Sequence, residues 1–412
     1  MNFIEIAFRN LFRNRRRSIL SLMGVVVASL SITFLFSMLA GLSDDIEKNA
    51  WEYETGEVHV RNQLYNKYEY LYPVQYVVPN YTELTQFLRE RQGIAAVSPR
   101  IQVPGISFIG EEQISAVGIG LDMESESEYQ NLGDIVIDGR LPEPNSNEAL
   151  IGAGLAQKLG VTIGDEATFM TQTRYRSSNA FTVDIVGIAA FPVTAMNSRT
   201  YVLPIERADY YMRMDGGASE ILIKTTEHEP ERTTAELNEF FSQHAAEGWN
   251  QLEARSWTKI SAGYASLSMA GAIYSIMALI FFLLAATVII STTMMIINER
   301  TREIGTLSAL GMSEGQLVRL FFTEAALLGF AGAFIGVLLG IAITVPVGIT
   351  GLDISAKMDM MDMGISSLLY PRINIMSTVG VFFFAWITSM AATYPSAQRA
   401  AKLKPVEALR AV

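Results

Sequence analysis

The side chains able to do covalent or metal chemistry are few in this sequence and poorly spaced for it. Three histidines are present, His59, His228 and His244, with no pair at metal-ligand spacing. Each reads as a surface or satisfied structural residue. Cysteine is absent, which removes disulfides, thiolate metal sites and thiol nucleophiles and leaves the compartment open. There is no G-x-x-x-x-G-K-[ST] loop to cradle phosphates, no G-x-S-x-G elbow and no H-E-x-x-H helix. GAGLAQKLG at 152–160 is punctuated by glycine, but Gly152 and Gly154 lack the strand-then-G-x-G-x-x-G arrangement of a dinucleotide site. Carboxylates are plentiful, and runs such as DMESESE at 122–128 read as a solvated acidic face. No catalytic, cofactor or metal site is therefore expected, and nothing here hydrolyses ATP by itself.

A different kind of chemistry is suggested by NERTREIGTLSALGMS, residues 298–313, which joins two long apolar runs. It is too polar for the membrane and too regular for a loop. Glu299, Arg300, Arg302 and Glu303 make a charged entry, and Ile304, Leu307 and Leu310 form an apolar stripe at helical spacing. Gly311 is placed to end this helix as a C′ residue. Ser313 to Gln316 then match the S-x-x-Q capping box, so a new helix starts at once. Such a ridge is suited to seating in a partner's groove; the alternative is a helix packed onto the chain's own spans.

The elements around this stretch are membrane helices. Ile19–Leu42 is an apolar run that spans roughly 36 Å as a helix, enough to cross a bilayer. It is longer than a signal-peptide core and reads as an uncleaved anchor. Met269–Ile297, Phe321–Ile349 and Met376–Tyr394 are three further runs. Half of the 412 residues are hydrophobic and 18% are charged, richer in apolar residues than an ordinary soluble chain. The net charge of −11 argues against a nucleic-acid partner. Basic residues cluster before the first span (Arg9, Arg13, Arg15, Arg16, Arg17), between the second and third (Arg300, Arg302) and after the fourth (Arg399, Lys402, Lys404, Arg410). The positive-inside rule makes all three groups cytoplasmic. FIEIAFRNLF at 3–12 reads as an amphipathic helix in the inner membrane interface, with the start of the first span as the alternative.

The expected fold class is a polytopic α-helical membrane protein with four transmembrane helices and a large α+β extracytoplasmic domain between helices 1 and 2. The expected divisions are a cytoplasmic amphipathic helix at 1–17, the first span at 18–42 and the outer domain at 43–262. The second span with its stalk follows at 263–297, then a coupling segment at 298–315 and the third span at 316–349. An outer loop at 350–375, the fourth span at 376–397 and a cytoplasmic tail at 398–412 complete the chain. Within the outer domain, GEVHVRN, ISAVGIG, FTVDIVGIAA and ILIKTT have strand character. YTELTQFLRERQ and ERTTAELNEFFSQHAA have helical periodicity, NEALIGAGLAQKLGV reads as a short helix ending at Gly160, and TIGDEATF as a turn into a strand. An inserted subdomain is expected at about 134–214. In the third span, Gly332, Gly336 and Gly340 recur every four residues with Gly329 before them, a spacing that lets another helix approach to backbone contact. The partner is either another span or the same span of a second copy. Glu324 lies near the start of that span, at the cytoplasmic interface, with a proton-carrying role as the alternative. Met358, Met360, Met361 and Met363 crowd the outer loop at 357–363; they read as adaptable apolar surface able to contact an acyl chain or apolar cargo, with Cu(I) binding as the alternative.

ERTREIGTLSALGMSEGQLVRLFFTEAALLGFAGAFIGVLLG, from Glu299 to Gly340, closely resembles the signature region of the FtsX/MacB-like permeases of ABC transporters. The matching residues are Arg300, Arg302, Glu303, Ile304, Gly305, Ala309, Leu310 and Gly311, then Glu324 and the glycine ladder. Ser308 departs from the basic residue common there. AAKLKPVEALR is similar to the family's ending, and ALIGAGLAQKLGVTIGDEATFMT with FTVDIVGIAAF looks most like the lipoprotein-releasing LolC/LolE type. The resemblance implies that Arg300, Arg302, Glu303, Ile304, Gly305, Leu307, Leu310 and Gly311 form a coupling helix that docks on a separate ATPase. It also implies that ATP and Mg belong to that partner, an ABC ATPase dimer, with no cofactor in this chain. A second permease in a homo- or heterodimer, membrane lipids, and a lipoprotein or other hydrophobic cargo with a periplasmic partner complete the implied assembly. The implied location is the bacterial inner membrane, multi-pass, with both termini cytoplasmic and the large domain periplasmic. The function expected is mechanotransmission to cargo; the alternative is an FtsX-like regulatory transducer that activates a cell-wall hydrolase.

Overall fold

The computed structural model describes residues 5–9, 15–69, 73–109, 112–245, 247–299, 301–353 and 368–402. The chain divides into two units, residues 1–42 with 268–352 and 369–412, and residues 43–267 with 353–368.

Among the described residues, four helices are long and apolar enough to cross a membrane. The first, Arg15–Asn49, extends well past the expected boundary at 42 and ends in a π-helical turn, Ala50–Glu54. The apolar run ends at Leu42, but Ser43–Asn49 is polar and free of glycine or proline, so nothing stops the helix there. The second runs Ala262–Glu299, the third Glu314–Thr350 and the fourth Ile375–Ala401. Between the second and third lies the short helix Thr301–Ala309. In the membrane unit the helices close around Ile32, Phe282, Ile289, Ala333, Val337, Val381 and Ala385, while side chains such as Ile276, Leu283 and Leu284 remain exposed. Before the first span, residues 5–9 are helical.

The outer domain is built on one ten-stranded sheet: β1 (Val58–Asn62), β2 (Ile94–Ile109), β3 (Glu112–Leu121), β4 (Val136–Gly139), β5 (Glu148–Gly152), β6 (Glu166–Gln172), β7 (Ser178–Ala189), β8 (Thr200–Pro204), β9 (Glu220–Thr225) and β10 (Leu252–Ser256). Their order is β10-β1-β9-β2-β3-β8-β5-β7-β4, and β6 bridges β2 and β7. The pairs β3–β8 and β5–β7 are parallel; the other pairs are antiparallel. Alternation sorts the side chains. Val58, Val60, Ile101, Val103, Ile221 and Ile223 go to the main core, where the helices Tyr81–Arg89, Ile205–Met212 and Pro230–Gln243 supply Leu84, Leu88, Met212, Leu237 and Phe241. The intervening residues His59, Arg61, Arg100 and Glu220 are buried too, so this part of the sheet is covered on both faces.

The segment 134–214, where an inserted subdomain is expected, pairs into the common sheet, with β8 bonded to β3 and β6 to β2. It does carry a second apolar cluster, which includes Leu121, Leu150, Phe191 and Val202. NEALIGAGLAQKLGV divides into a strand, Glu148–Gly152, and a helix, Ala153–Leu159, that ends at Gly160 with φ +65°.

Candidate functional site

The helix Thr301–Ala309 is fixed at its start and open at its end. Thr301 Oγ1 donates to Ile297 O at 3.0 Å. Ile304 is 3% exposed and sits with Ile297, Leu317, Phe321, Ala397 and Ala400, from three of the long helices. Gly305 is also buried. Leu310, by contrast, is 80% exposed. The expected single ridge of Ile304, Leu307 and Leu310 is thus corrected. At about 100° per residue Ile304 and Leu310 lie about 120° apart around the axis and cannot share a face. One packs onto the chain's own spans and the other is presented outward. Gly311 has φ +94°, a left-handed conformation that an L side chain resists. The third span then starts cleanly: Ser313 N donates to Gln316 Oε1 at 2.9 Å, and Gln316 N to Ser313 O at 3.0 Å. Arg300 and the side chains of Arg302, Glu303, Leu307 and Ser308 lie outside the described residues.

The glycines of the third span mark where other helices come closest. A Cβ on Gly332 would stand 2.8 Å from Val25 Cβ, one on Gly336 2.6 Å from Val26 O, and one on Gly340 2.8 Å from Thr33 Cβ. All three therefore face the first span. Gly329 faces the fourth, where its Cβ would stand 2.6 Å from Ser389 Cβ, and next to it Trp386 Nε1 donates to Ala326 O at 2.9 Å. Glu324 is 8% exposed in the same helix. Towards the outer end, the backbone of Tyr370 and Pro371 lies against Gly41 and Gly348, and Arg372 N donates to Ser37 O at 3.0 Å.

The second concentration of polar contacts is in the outer domain. Glu220 Oε2 accepts from His59 Nε2 at 3.0 Å, from Arg61 Nε at 2.9 Å and from Arg61 Nη2. Gln102 Nε2 bonds both oxygens of Glu220 at 3.2 Å, and Arg61 Nη1 donates to Glu69 at 2.6 Å. Burial favours the neutral acid of Glu220, yet Arg61 and the His59 contact outweigh it and hold the carboxyl well below its usual range. His59 is pushed down by burial and then by Arg61, which favours the neutral imidazole. This group forms the floor of a cleft of ≈ 340 Å³ whose walls include Val117, Ile119, Val193, Met196 and Ile260. The same face holds Arg100 with Glu126, which is 0% exposed. The run DMESESE is thus not uniformly a solvated face: Glu126 points inward because Arg100 and Ser98 receive it. His228 pairs with buried Glu57 at 3.0 Å, and His244 with Phe240 O at 2.8 Å, so each histidine has a structural partner.

Comparison with known proteins accounts for both halves of the chain. Residues 18–240 match the MacB-like periplasmic core domain and residues 275–405 the FtsX-like permease C-terminal domain. The chain belongs to the FtsX/MacB-type permeases of ABC transporters. An ABC transporter permease of Methanocaldococcus jannaschii is 24% identical over 99% of this chain and 98% of its own. The lipoprotein-releasing system transmembrane protein LolC of Neisseria meningitidis is 22% identical over 97% of this chain and 95% of its own. The macrolide export ATP-binding/permease protein MacB of Chlorobaculum tepidum is 30% identical over 118 residues, 28% of this chain and 16% of its own. The permease is thus a multi-pass membrane protein with a large extracytoplasmic domain between its first and second helices.

Sequence reasoning missed the permease's buried charges. The alternation Val58-His59-Val60-Arg61 puts two polar residues on one strand face; such a pair, placed opposite the carboxylate that opens EILIKT, was the available signal. The methionines Met358, Met360, Met361 and Met363 lie outside the described residues, as do Lys404 and Arg410.

Proposed function

We propose that the permease is the mechanotransmitting subunit of its transporter. A partner ATPase dimer, carrying ATP and Mg itself, docks on Thr301–Ala309 and the turn after it. The four spans pass the resulting movement to the outer domain, which handles cargo. Both termini and this short helix face the cytoplasm across the bacterial inner membrane, in keeping with the arginines and lysines on those segments. A second permease completes the complex. The full-length match to LolC supports a lipoprotein, or another hydrophobic or peptide-like substrate, as cargo.

The observation that carries this reading is the contrast between one short helix and the turn that ends it: Ile304 is locked among the spans while Leu310 is exposed. A docking element needs both, an apolar contact for the partner and a rigid seat that turns a push into motion of the helices behind it. The test is Leu310→Asp in the full-length chain, purified with the ATPase that accompanies it from native membranes. Complex formation and permease-stimulated ATP hydrolysis should fall while thermal melting stays unchanged, since the site is exposed. Retention of both would sink the assignment.

A further inference from the structure

The helix that begins in the first span ends inside the unit of residues 43–267, where side chains of that same unit hold its end. Its last turn, Ala50–Glu54, is π-helical, a rare form that concentrates at functional sites. Helix ends leave carbonyls without intrahelical donors, and here the outer domain supplies them. Arg100 donates Nη1 to Tyr53 O and Nη2 to Glu52 O, each at 2.8 Å, and Tyr129 OH donates to Trp51 O at 2.6 Å. Arg100 is 2% exposed. Its Nη2 also donates to Glu126 Oε1 at 2.9 Å, and Ser98, two residues earlier on β2, contacts both partners. Its positive charge stands at the negative end of a helix dipole.

Stability alone is a weak reason for such an arrangement, because buried ion pairs are often no better than apolar packing of the same volume. What a guanidinium adds is direction. Its planar fork bonds two successive carbonyls and a carboxylate at once, whereas apolar contacts would let the helix end slide. Arg100 also sits on β2, the hub of the sheet, bonded to β3, β6 and β9. Whatever moves β2 moves three strands together.

We infer that Arg100 is a positioning residue for coupling: it is the joint through which displacement of the first membrane helix is delivered to the ten-stranded sheet. This rests on the proposed ATP-driven movement of the helices. The experiment is amide hydrogen exchange on the full-length permease with its ATPase in nanodiscs, with and without nucleotide, for wild type, Arg100→Lys, Tyr129→Phe and the exposed control Arg140→Lys. Lysine keeps the charge and loses the fork. The expected result is that nucleotide alters exchange at Thr301–Ala309 in every variant. In β2 and β9 it alters exchange in wild type and Arg140→Lys, partly in Tyr129→Phe, and not in Arg100→Lys. A wild-type response of β2 in Arg100→Lys overturns the joint alone. A β2 that already exchanges faster in Arg100→Lys without nucleotide makes Arg100 a structural residue and also overturns it. Absence of any nucleotide response at Thr301–Ala309 in wild type overturns the coupling reading and the joint with it.

Discussion

Gly336 in the membrane unit and Glu220 in the outer domain occupy equally closed surroundings, and they are closed for opposite reasons. At Gly336 the site is tight because nothing is there: the first helix brings Val26 O and Ser29 Cβ to where a side chain would begin. Lipid offers no hydrophobic drive to bring helices together, so close backbone packing has to do it. Several hydroxyls along the spans turn back on their own helices, as in Ser37 Oγ to Thr33 O at 2.8 Å and Thr344 Oγ1 to Gly340 O at 2.9 Å. At Glu220 the site is tight because so much converges, an imidazole, a guanidinium and an amide on one carboxylate. Water drives apolar side chains into the outer core and leaves the charges they trap to find partners. The membrane unit should therefore fail by addition of atoms and the outer domain by subtraction.

The largest effect expected from this contrast is subtraction at Glu220. Glu220→Ala leaves Arg61 buried with the exposed Glu69 as its one remaining ion-pair partner among the described residues, and breaking a buried pair in this way costs about 3–5 kcal/mol. Denaturant unfolding of the full-length protein, followed through exchange of β1 and β9, measures it. Replacing both partners together, Arg61→Met with Glu220→Leu, should recover most of the loss. Equal damage in the single and double variants would mean that the charges are needed for something other than each other.

Addition at Gly336 comes next. Gly336→Val places a branched side chain 2.6 Å from a backbone oxygen, where relief requires the helices to part, at about 1–3 kcal/mol by the usual cost of overpacking. Gly380→Val is the matched control, since a Cβ there meets nothing within 4 Å. Thermal melting in detergent should fall for the first and hold for the second. Equal melting of both would remove close packing as the basis of the membrane unit.

The same contrast explains what the sequence disclosed. The spans, the turn at Gly311, the Gln316 cap and the spacing of Gly332, Gly336 and Gly340 all depend on local rules, and local rules can be read from a string. The partner of the glycines could not be read, because Val25, Val26, Ser29 and Thr33 are ordinary residues of an ordinary apolar run. The central strand β2 was hidden by Pro99, Pro104 and Gly105, residue types that argue against an interior strand. The pairing of Arg100 with Glu126 was hidden in a different way. Glu126 sits among exposed acids and is selected from them by tertiary contact alone. Ile304 and Leu310 lie about 120° apart around the helix, and only the neighbouring helices reveal which of the two is covered.

Acid separates the two regions with a smaller effect. His59 is held below its ordinary value of 6.5 first by burial, so the unfolded chain binds its proton more readily than the folded one. Its contribution is complete above that value and is lost as pH falls, with a slope no steeper than about 1.4 kcal/mol per pH unit. Outer-domain stability should decline as pH falls below about 6.5, and His59→Gln should flatten the decline. The residues that Gly332, Gly336 and Gly340 face carry no titratable group, so the Gly336→Val penalty should not change over the same range.

The smallest effect tests whether closeness, rather than hydrogen bonding, joins the first and third spans. Ser29 is fully buried, and its Oγ has no hydrogen-bond partner among the described residues. If its role is to be small, then Ser29→Ala keeps the approach to Gly336 and removes an unpaired hydroxyl, so melting should stay within about 0.5 kcal/mol of wild type or rise. Ser29→Leu should instead reproduce the loss seen for Gly336→Val, because both insert atoms into the same contact from opposite sides. Combining Ser29→Leu with Gly336→Val should cost less than the sum of the two, since helices already parted by one residue make room for the other. A destabilising Ser29→Ala of more than about 1 kcal/mol, near the upper range measured for hydrogen bonds between membrane helices, would show instead that the hydroxyl is engaged. The membrane unit would then be held by subtraction-sensitive contacts like those of the outer domain.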